Sequence, residues 1–280
     1  MKSEKLEVQT DLFRIGKKQR AGMIAFLAVM ILIWSLPIYS LIKNSLTTNG
    51  IDNYRYVLLN DVNGVPFYQY FINSAINALG ASLLVVSICS MAGFAFSKIR
   101  FTGRKIIYNL VLMCLAVSGP ALIIPLFYTM KNLHLSNTPL AIILAEATIT
   151  IPFGVLMMKN FFDRLPQELM ESASMDGAGI ESTFFRIFMP LSRPAMINLF
   201  VLQIMWSLQD FLFPTMFLTN SKLYTTTVAV NTFRGAYGVT GANLGRYNAS
   251  LVLISIPTIL IFVFAQKYIV NGISAGSIKE

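Results

Sequence analysis

Glu146 and Asp210 stand inside long apolar stretches of this 280-residue chain, where a carboxylate is costly and normally faces a cavity or a partner. Gln203, Trp206 and Asp210 follow one another at i, i+3 and i+7, the spacing of one helical stripe. Counting inward at 1.5 Å per residue places both acids ~12 Å below one membrane surface. Carboxylates and an amide bind hydroxyl groups, and an indole stacks on the apolar face of a pyranose, so the set suits a polyhydroxylated solute. The same groups would equally serve hydrogen bonds to a second membrane subunit, or gate a cavity. Catalysis has little to build on. His134 is the only histidine, and Cys89 and Cys114 lie in apolar stretches without CxxC spacing, which makes them packing residues rather than metal ligands. No Gly-Lys-Ser/Thr loop follows a strand pattern, so ATP hydrolysis would have to come from a partner.

A second constellation suits docking. Glu171-Ser-Ala-Ser-Met-Asp-Gly177 lies on a polar segment between two apolar ones, with Ile187-Phe-Met-Pro190 beyond it. Helix formers and first-turn acids over 168–174, then Gly177, predict a short helix stopped by a glycine turn. The apolar pattern from Ile180 to Phe188 predicts a second short helix ending at Pro190. Small residues at 172, 173, 174, 177 and 178 let another protein approach the backbone closely.

The elements that must hold these residues are membrane helices. Hydrophobic residues make up 55% of the chain and charged residues 12%, about half the charged fraction of a soluble domain, and the mean hydropathy is +0.63. Apolar segments at 21–42, 71–96, 106–128, 138–162, 192–218 and 249–270 each reach the roughly 20 residues that cross a bilayer. The expected fold is an all-α membrane bundle of six spans. The polar segment 1–20 precedes a domain at 21–271, with an inner loop at 163–191, an outer loop at 219–248 and a tail at 272–280. The first span is too long for a signal-peptide core and reads as a retained anchor. With the N-terminus inside, inner segments carry 16 lysines and arginines against six outside; this bias puts both termini and the 163–191 loop in the cytoplasm. The same topology explains the net charge of +9 better than nucleic acid does, since no basic helix is interleaved with aromatics. Pro37, Pro120, Pro125, Pro152 and Pro257 are expected to kink helices. Asn73 and Asn77 share a face of the second span, where an asparagine more often bonds a neighbouring helix than a substrate.

The spacing Glu-x-Ala-x-x-x-Gly-x9-Ile-x-x-Pro resembles the "EAA" loop of permease subunits in binding-protein-dependent ABC importers. Ser172 stands where the family usually has its first alanine, and Met189 where it has leucine. Asn53-Tyr-Arg-Tyr56, Phe71-x-Asn73-Ser74, Arg100-Phe-x-Gly-Arg104, Pro152-Phe-Gly154, Trp206-x-x-x-Asp210-Phe-Leu-x-Pro214 and Gly272-Ile-Ser-Ala-Gly276 are similar, in order, to the maltose-type sugar branch. The resemblance implies a prokaryotic cell-membrane subunit that carries a carbohydrate, a di- or oligosaccharide, inward by alternating access. It would perform no chemistry and bind no cofactor or metal, ATP and Mg residing on a partner ATPase dimer. Its implied partners are a homologous second permease, that ATPase, an extracellular solute-binding protein, the sugar and membrane lipid.

Carried over by motif, Glu171, Ala173, Asp176, Gly177, Ile187 and Pro190 couple to the ATPase, and Ser274, Ala275 and Gly276 reach into its dimer. Arg234, Tyr237 and Arg246 meet the binding protein, while Glu146, Gln203, Trp206 and Asp210 line the cavity. In the best-known maltose-type system the partner permease makes the sugar contacts, so the resemblance leaves direct sugar binding by this chain open. Alternatives are another polar solute (a polyamine or glycerol phosphate) or an ion-coupled secondary transporter, for which no inverted repeat is evident.

Overall fold

The computed structural model describes residues 16–62, 64–237 and 241–274, and these are helical with short connections. In chain order the helices are α1 (Lys17–Ser45), α2 (Asp52–Leu59), α3 (Phe67–Lys98), α4 (Arg104–Met113), α5 (Gly119–Asn132) and α6 (Pro139–Asp163). They are followed by α7 (Glu168–Met175), α8 (Ile180–Leu191), α9 (Arg193–Gln209), α10 (Leu212–Phe217), α11 (Thr226–Tyr237) and α12 (Ala242–Ser274). Four helices are long and apolar enough to cross a membrane unaided, and the pairs α4–α5 and α8–α9 pass only together, bent by 108° and 74°.

The core is the pairing of α3 with α6. Gly80 lies under Ile143, Gly154 under Cys89, and Gly93 under Met158, each so close that a Cβ on the glycine would come within 2.5–2.7 Å of the opposing side chain. These contacts advance together along both helices, so α3 and α6 run parallel. Two parallel membrane helices need a return crossing between them, which makes the bent α4–α5 pair one broken span. Leu199 of α9 packs beside Gly154, Ala195 joins the aromatic cluster at the far end of α3 and α6, and Ser207 shares a cavity with Glu146. α9 therefore runs antiparallel to α6. With α1 packed along α12, the described residues hold four straight spans, or the six expected when each bent pair is one span.

The breaks differ from the uninterrupted segments expected at 106–128 and 192–218. Val117 and Ser118 are extended and Pro120 lies in the first turn of α5; continuing α4 would drive the Pro120 ring into the Ala116 carbonyl. α9 stops at Gln209 because Pro214, four residues beyond Asp210, cannot accept a helical turn over it. Asp210 leaves helical geometry, and its Oδ1 accepts a hydrogen bond from Leu212 N–H at 2.9 Å, starting α10.

The outer segments also hold more structure than their composition suggests. The polar stretch 43–70 contains α2, and the loop expected at 219–248 contains α11, which buries Ala229 and Phe233 against Phe67 and Tyr70. Side-chain hydrogen bonds close this end. Asn53 Nδ2 donates to the carbonyls of Ser45 and Thr47, both at 2.9 Å, and Asn73 Nδ2 donates to those of Lys222 and Tyr224 at 2.8 and 2.9 Å. Asn73 thus holds the connection that leads into α11 rather than a neighbouring span.

Candidate functional site

At the end of the bundle where α3 and α6 finish, α7 forms as its sequence directs. Ala178 N–H donates to the Ala173 carbonyl at 2.9 Å and Gly177 N–H to that of Ser174 at 3.1 Å, with Gly177 at φ +76°. This is a Schellman stop, which needs a residue tolerant of positive φ at the position of Gly177. Glu171, Ser172, Ser174, Asp176 and Gly177 are exposed, Met175 is 89% exposed, and Ala173 is buried. A Cβ at Gly177 would meet nothing within 4 Å, so nothing in this chain requires that surface to stay small.

α8 follows with a π-helical turn over Phe184–Phe188. Pro190 lacks the N–H that would bond the Arg186 carbonyl, and the wider turn absorbs the mismatch, carrying the helix past Pro190 to Leu191 rather than ending there. The buried side of this segment enters an aromatic knot. Phe94 of α3 has its ring centroid 5.0 Å from Phe188, 5.1 Å from Phe184 and 5.9 Å from Phe162 of α6. Ile187, Leu169 and Met170 pack on the same cluster.

Polar clamps tie the connection to the bundle. Lys98 Nζ, almost wholly buried, donates to the Leu165 carbonyl at 2.6 Å; Ser97 Oγ donates to Asp163 Oδ1 at 2.7 Å; and Lys159 pairs with Asp163 Oδ2 at 2.6 Å. Lys98 and Lys159 entered the sequence reading only as inner charges. Their position at the last turns of two spans is the signal that marks them as clamps.

The second constellation assembles toward the opposite end. Glu146 on α6, Gln203 and Trp206 on α9 and Asp210 at the helix break line one cavity of about 240 Å³. Asp210 is not on the helical stripe its spacing suggested, since α9 ends one residue earlier, but the break still turns it to this space. Gln203 is fully buried and Glu146 is 5% exposed, while Trp206 is 41% exposed with its ring edge-to-face on Phe153 at 5.4 Å. Ser207 and Gln209 also line the cavity and were missed in the sequence, although Ser207 stands one turn from Gln203. Both carboxylate oxygens of Glu146, both amide atoms of Gln203, Ser207 Oγ and Asp210 Oδ2 lack a hydrogen-bond partner. Asn77 Oδ1 and Asn198 Oδ1 are likewise buried and unpaired.

The outer candidates divide. Arg234 is exposed on α11, and Tyr237 is the last described residue of that helix. The Arg246 guanidinium stacks over the Tyr56 ring at 3.8 Å and donates to Asn243 Oδ1 at 3.3 Å, beside Asp52 and Asn49 at a surface pocket. Of the tail residues, Ser274 closes α12, whereas Ala275 and Gly276 fall outside the described residues, as do positions 1–15. Among the described residues no group of three or more His, Cys, Asp or Glu is placed to hold a metal ion. Cys89 is buried and Cys114 exposed, both as free thiols.

A bundle of broken and straight membrane helices, with a polar cavity at one end and a capped helix anchored at the other, defines a multi-pass transport subunit. Residues 89–275 match the family described as the binding-protein-dependent transport system inner membrane component, and the chain belongs to that family. Permease subunits of this kind are not enzymes themselves. The chain is 32% identical over 270 residues to the galactooligosaccharides transport system permease protein GanQ of Bacillus subtilis, covering 92% of this chain and 93% of that protein. It is 32% identical over 229 residues to the trehalose/maltose transport system permease protein MalG of Thermococcus litoralis, covering 82% and 81%. The fold is shared with a crystal structure of a bacterial ABC transporter involved in the import of the acidic polysaccharide alginate, at a TM-score of 0.77 and 19% identity, covering 90% of this chain and 98% of that one.

Proposed function

We propose that this chain is one of two related permease subunits of an ABC importer, that it passes an oligosaccharide inward by alternating access, and that α7 with α8 receives the ATPase stroke. The observation that carries the coupling reading is the two-sidedness of that segment. Its exposed surface presents the acids Glu171 and Asp176, the open Gly177 and the Met175 side chain, while Ile187 and its neighbours are packed into the knot that joins α3 to α6. A push on α7 would be carried into the bundle rather than absorbed by a loop, because interlocked aromatic rings resist continuous deformation. The carbohydrate assignment rests on relatives whose names specify galactooligosaccharides and trehalose/maltose, and on a cavity of hydroxyl-binding groups with a half-exposed indole.

In this reading α7 lies in the cytoplasm, Arg234 and the Arg246–Tyr56 stack face the solute-binding protein, and the tail from Ser274 reaches the ATPase. ATP and Mg act on that ATPase. The paired acids Glu146 and Asp210 would also suit a polyamine, whereas glycerol phosphate would meet like charge.

The test is the ATPase rate of the reconstituted complex with and without its loaded binding protein. Gly177→Asn keeps a residue that tolerates positive φ and is expected to retain stimulation. Gly177→Trp and Ser174→Trp fill surface that is open in this chain and are expected to abolish stimulation with assembly intact. Full stimulation in both tryptophan variants would sink the assignment of coupling to α7 and send the search for the ATPase contact to another surface of this chain.

A further inference from the structure

Nine buried side-chain polar atoms lack a hydrogen-bond partner among the described residues, and six of them line the Glu146 cavity. Four of those six are acceptors only when the acids are ionised: the two oxygens of Glu146, Gln203 Oε1 and Asp210 Oδ2. Gln203 Nε2 and Ser207 Oγ alone can donate. No Lys, Arg or His lines the cavity. An acceptor-rich set of buried atoms is satisfied by incoming donors. A bound anion would instead bring only further acceptors to a set already rich in them, an unfavourable juxtaposition where polar groups are buried. The volume of about 240 Å³ falls below the roughly 300–1,000 Å³ of a pocket that encloses a whole small ligand, so it seats one ring of a longer chain. Trp206 is 41% exposed at the cavity, which leaves part of its ring to cover that sugar ring.

Resting on the sugar reading above, we propose that this cavity is a hydroxyl-reading subsite that admits uncharged sugar rings and excludes acidic ones, whether uronic, sulfated or phosphorylated. Selection then occurs within the membrane subunit and does not depend on the binding protein alone.

The experiment measures equilibrium binding of radiolabelled probes to the assembled permease–ATPase complex in nanodiscs, without binding protein. The probes are galactotriose, maltotriose and arabinotriose as neutral trisaccharides, trigalacturonate as the acidic counterpart, and spermidine. Saturable binding of at least one neutral trisaccharide is expected, with trigalacturonate weaker by about tenfold or more. Glu146→Gln with Asp210→Asn should bring the two within about threefold, mainly by weakening the neutral sugar and relieving repulsion of the acidic one. Gln209→Arg, which adds a base at the cavity while both acids stay, should strengthen trigalacturonate and serves if the double variant does not assemble. Equal binding of trigalacturonate and the neutral sugar in the unaltered complex would overturn the exclusion. So would a preference that neither variant shifts, or spermidine binding tighter than any trisaccharide. Failure of every neutral trisaccharide to bind, in a complex whose ATPase still responds to α7 changes, removes the sugar reading itself and this subsite with it.

Discussion

Gln203 is fully buried with neither end of its amide bonded. A structural role within this chain does not account for it. An unpaired buried amide costs about 1–3 kcal/mol, so replacing it with an apolar side chain of similar length removes a penalty. Gln203→Met is therefore expected to leave the melting temperature of the detergent-solubilised chain unchanged or raised, while uptake by the whole complex falls by about tenfold. Destabilisation of the assembled complex alone, with uptake per assembled complex intact, would move Gln203 from the transport path to the interface with the second permease. The residues of this cavity were half legible in the sequence. Glu146 and Asp210 stood out because charge is scarce in the spans, and Gln203 and Trp206 because they share a helix face. Ser207 did not, because a small polar side chain in a membrane helix usually satisfies itself on its own backbone, as Ser82 and Ser90 do here on the carbonyls of Ala78 and Val86.

Helix α3 and helix α6 are held together by close backbone approach, and that is testable at Gly93. A Cβ there would lie 2.7 Å from Met158 Cβ and 2.9 Å from the Lys159 backbone nitrogen, neither of which can swing aside. Gly93→Ala should cost about 1–3 kcal/mol by overpacking, read as a lower unfolding temperature and reduced assembly. A few residues further on, Lys98 Nζ holds the Leu165 carbonyl at the start of the connection to α7. Lys98→Met keeps the buried stem but orphans that carbonyl, again about 1–3 kcal/mol. The expected outcome is an assembled complex whose ATPase runs but gains less from the loaded binding protein; unaltered stimulation would show that this clamp is not on the route of the stroke. At this scale the local signals were read correctly and the long-range ones were not. α7 and its stop were legible because capping is decided within a few residues by Gly177. α11 was hidden because its buried set (Val228, Ala229, Phe233) is short and surrounded by Thr and Asn, and only burial against Phe67 and Tyr70 makes it a helix. The break at Pro120 was read as a kink and the one before Pro214 was not read at all, since a proline marks where a helix cannot continue but not the angle at which the next one leaves.

The whole molecule is fixed by two parallel helices and the returns they force. Because α3 and α6 advance in the same direction, α4–α5 crosses between them in spite of its 108° bend, and because α9 runs back along α6, α10 and α11 return to the end where α2 and α3 begin. The hydrogen bonds from Asn73 to the Lys222 and Tyr224 carbonyls close that circuit. α7 and α11 are consequently on opposite faces whichever face is cytoplasmic, and the proposal that α7 is the inner one rests on the lysine and arginine bias. α1 sharpens the point: its apolar window is unburied within this chain, so lipid or a second permease must cover it, and both demand that the bundle be membrane-embedded. Single cysteines at exposed positions decide the orientation. Met175→Cys on α7 and Arg234→Cys on α11 remove side chains that face away from the bundle, so neither should disturb the fold. Background from the exposed Cys114 is removed by Cys114→Ser, and Cys89 is buried. A membrane-impermeant thiol reagent is expected to label Arg234→Cys in right-side-out vesicles and Met175→Cys only in inverted ones. The reverse pattern would invert the molecule and place the proposed coupling surface away from any ATPase. Labelling of both from one side would mean that α9 does not cross between the two positions, which its antiparallel run along α6 forbids.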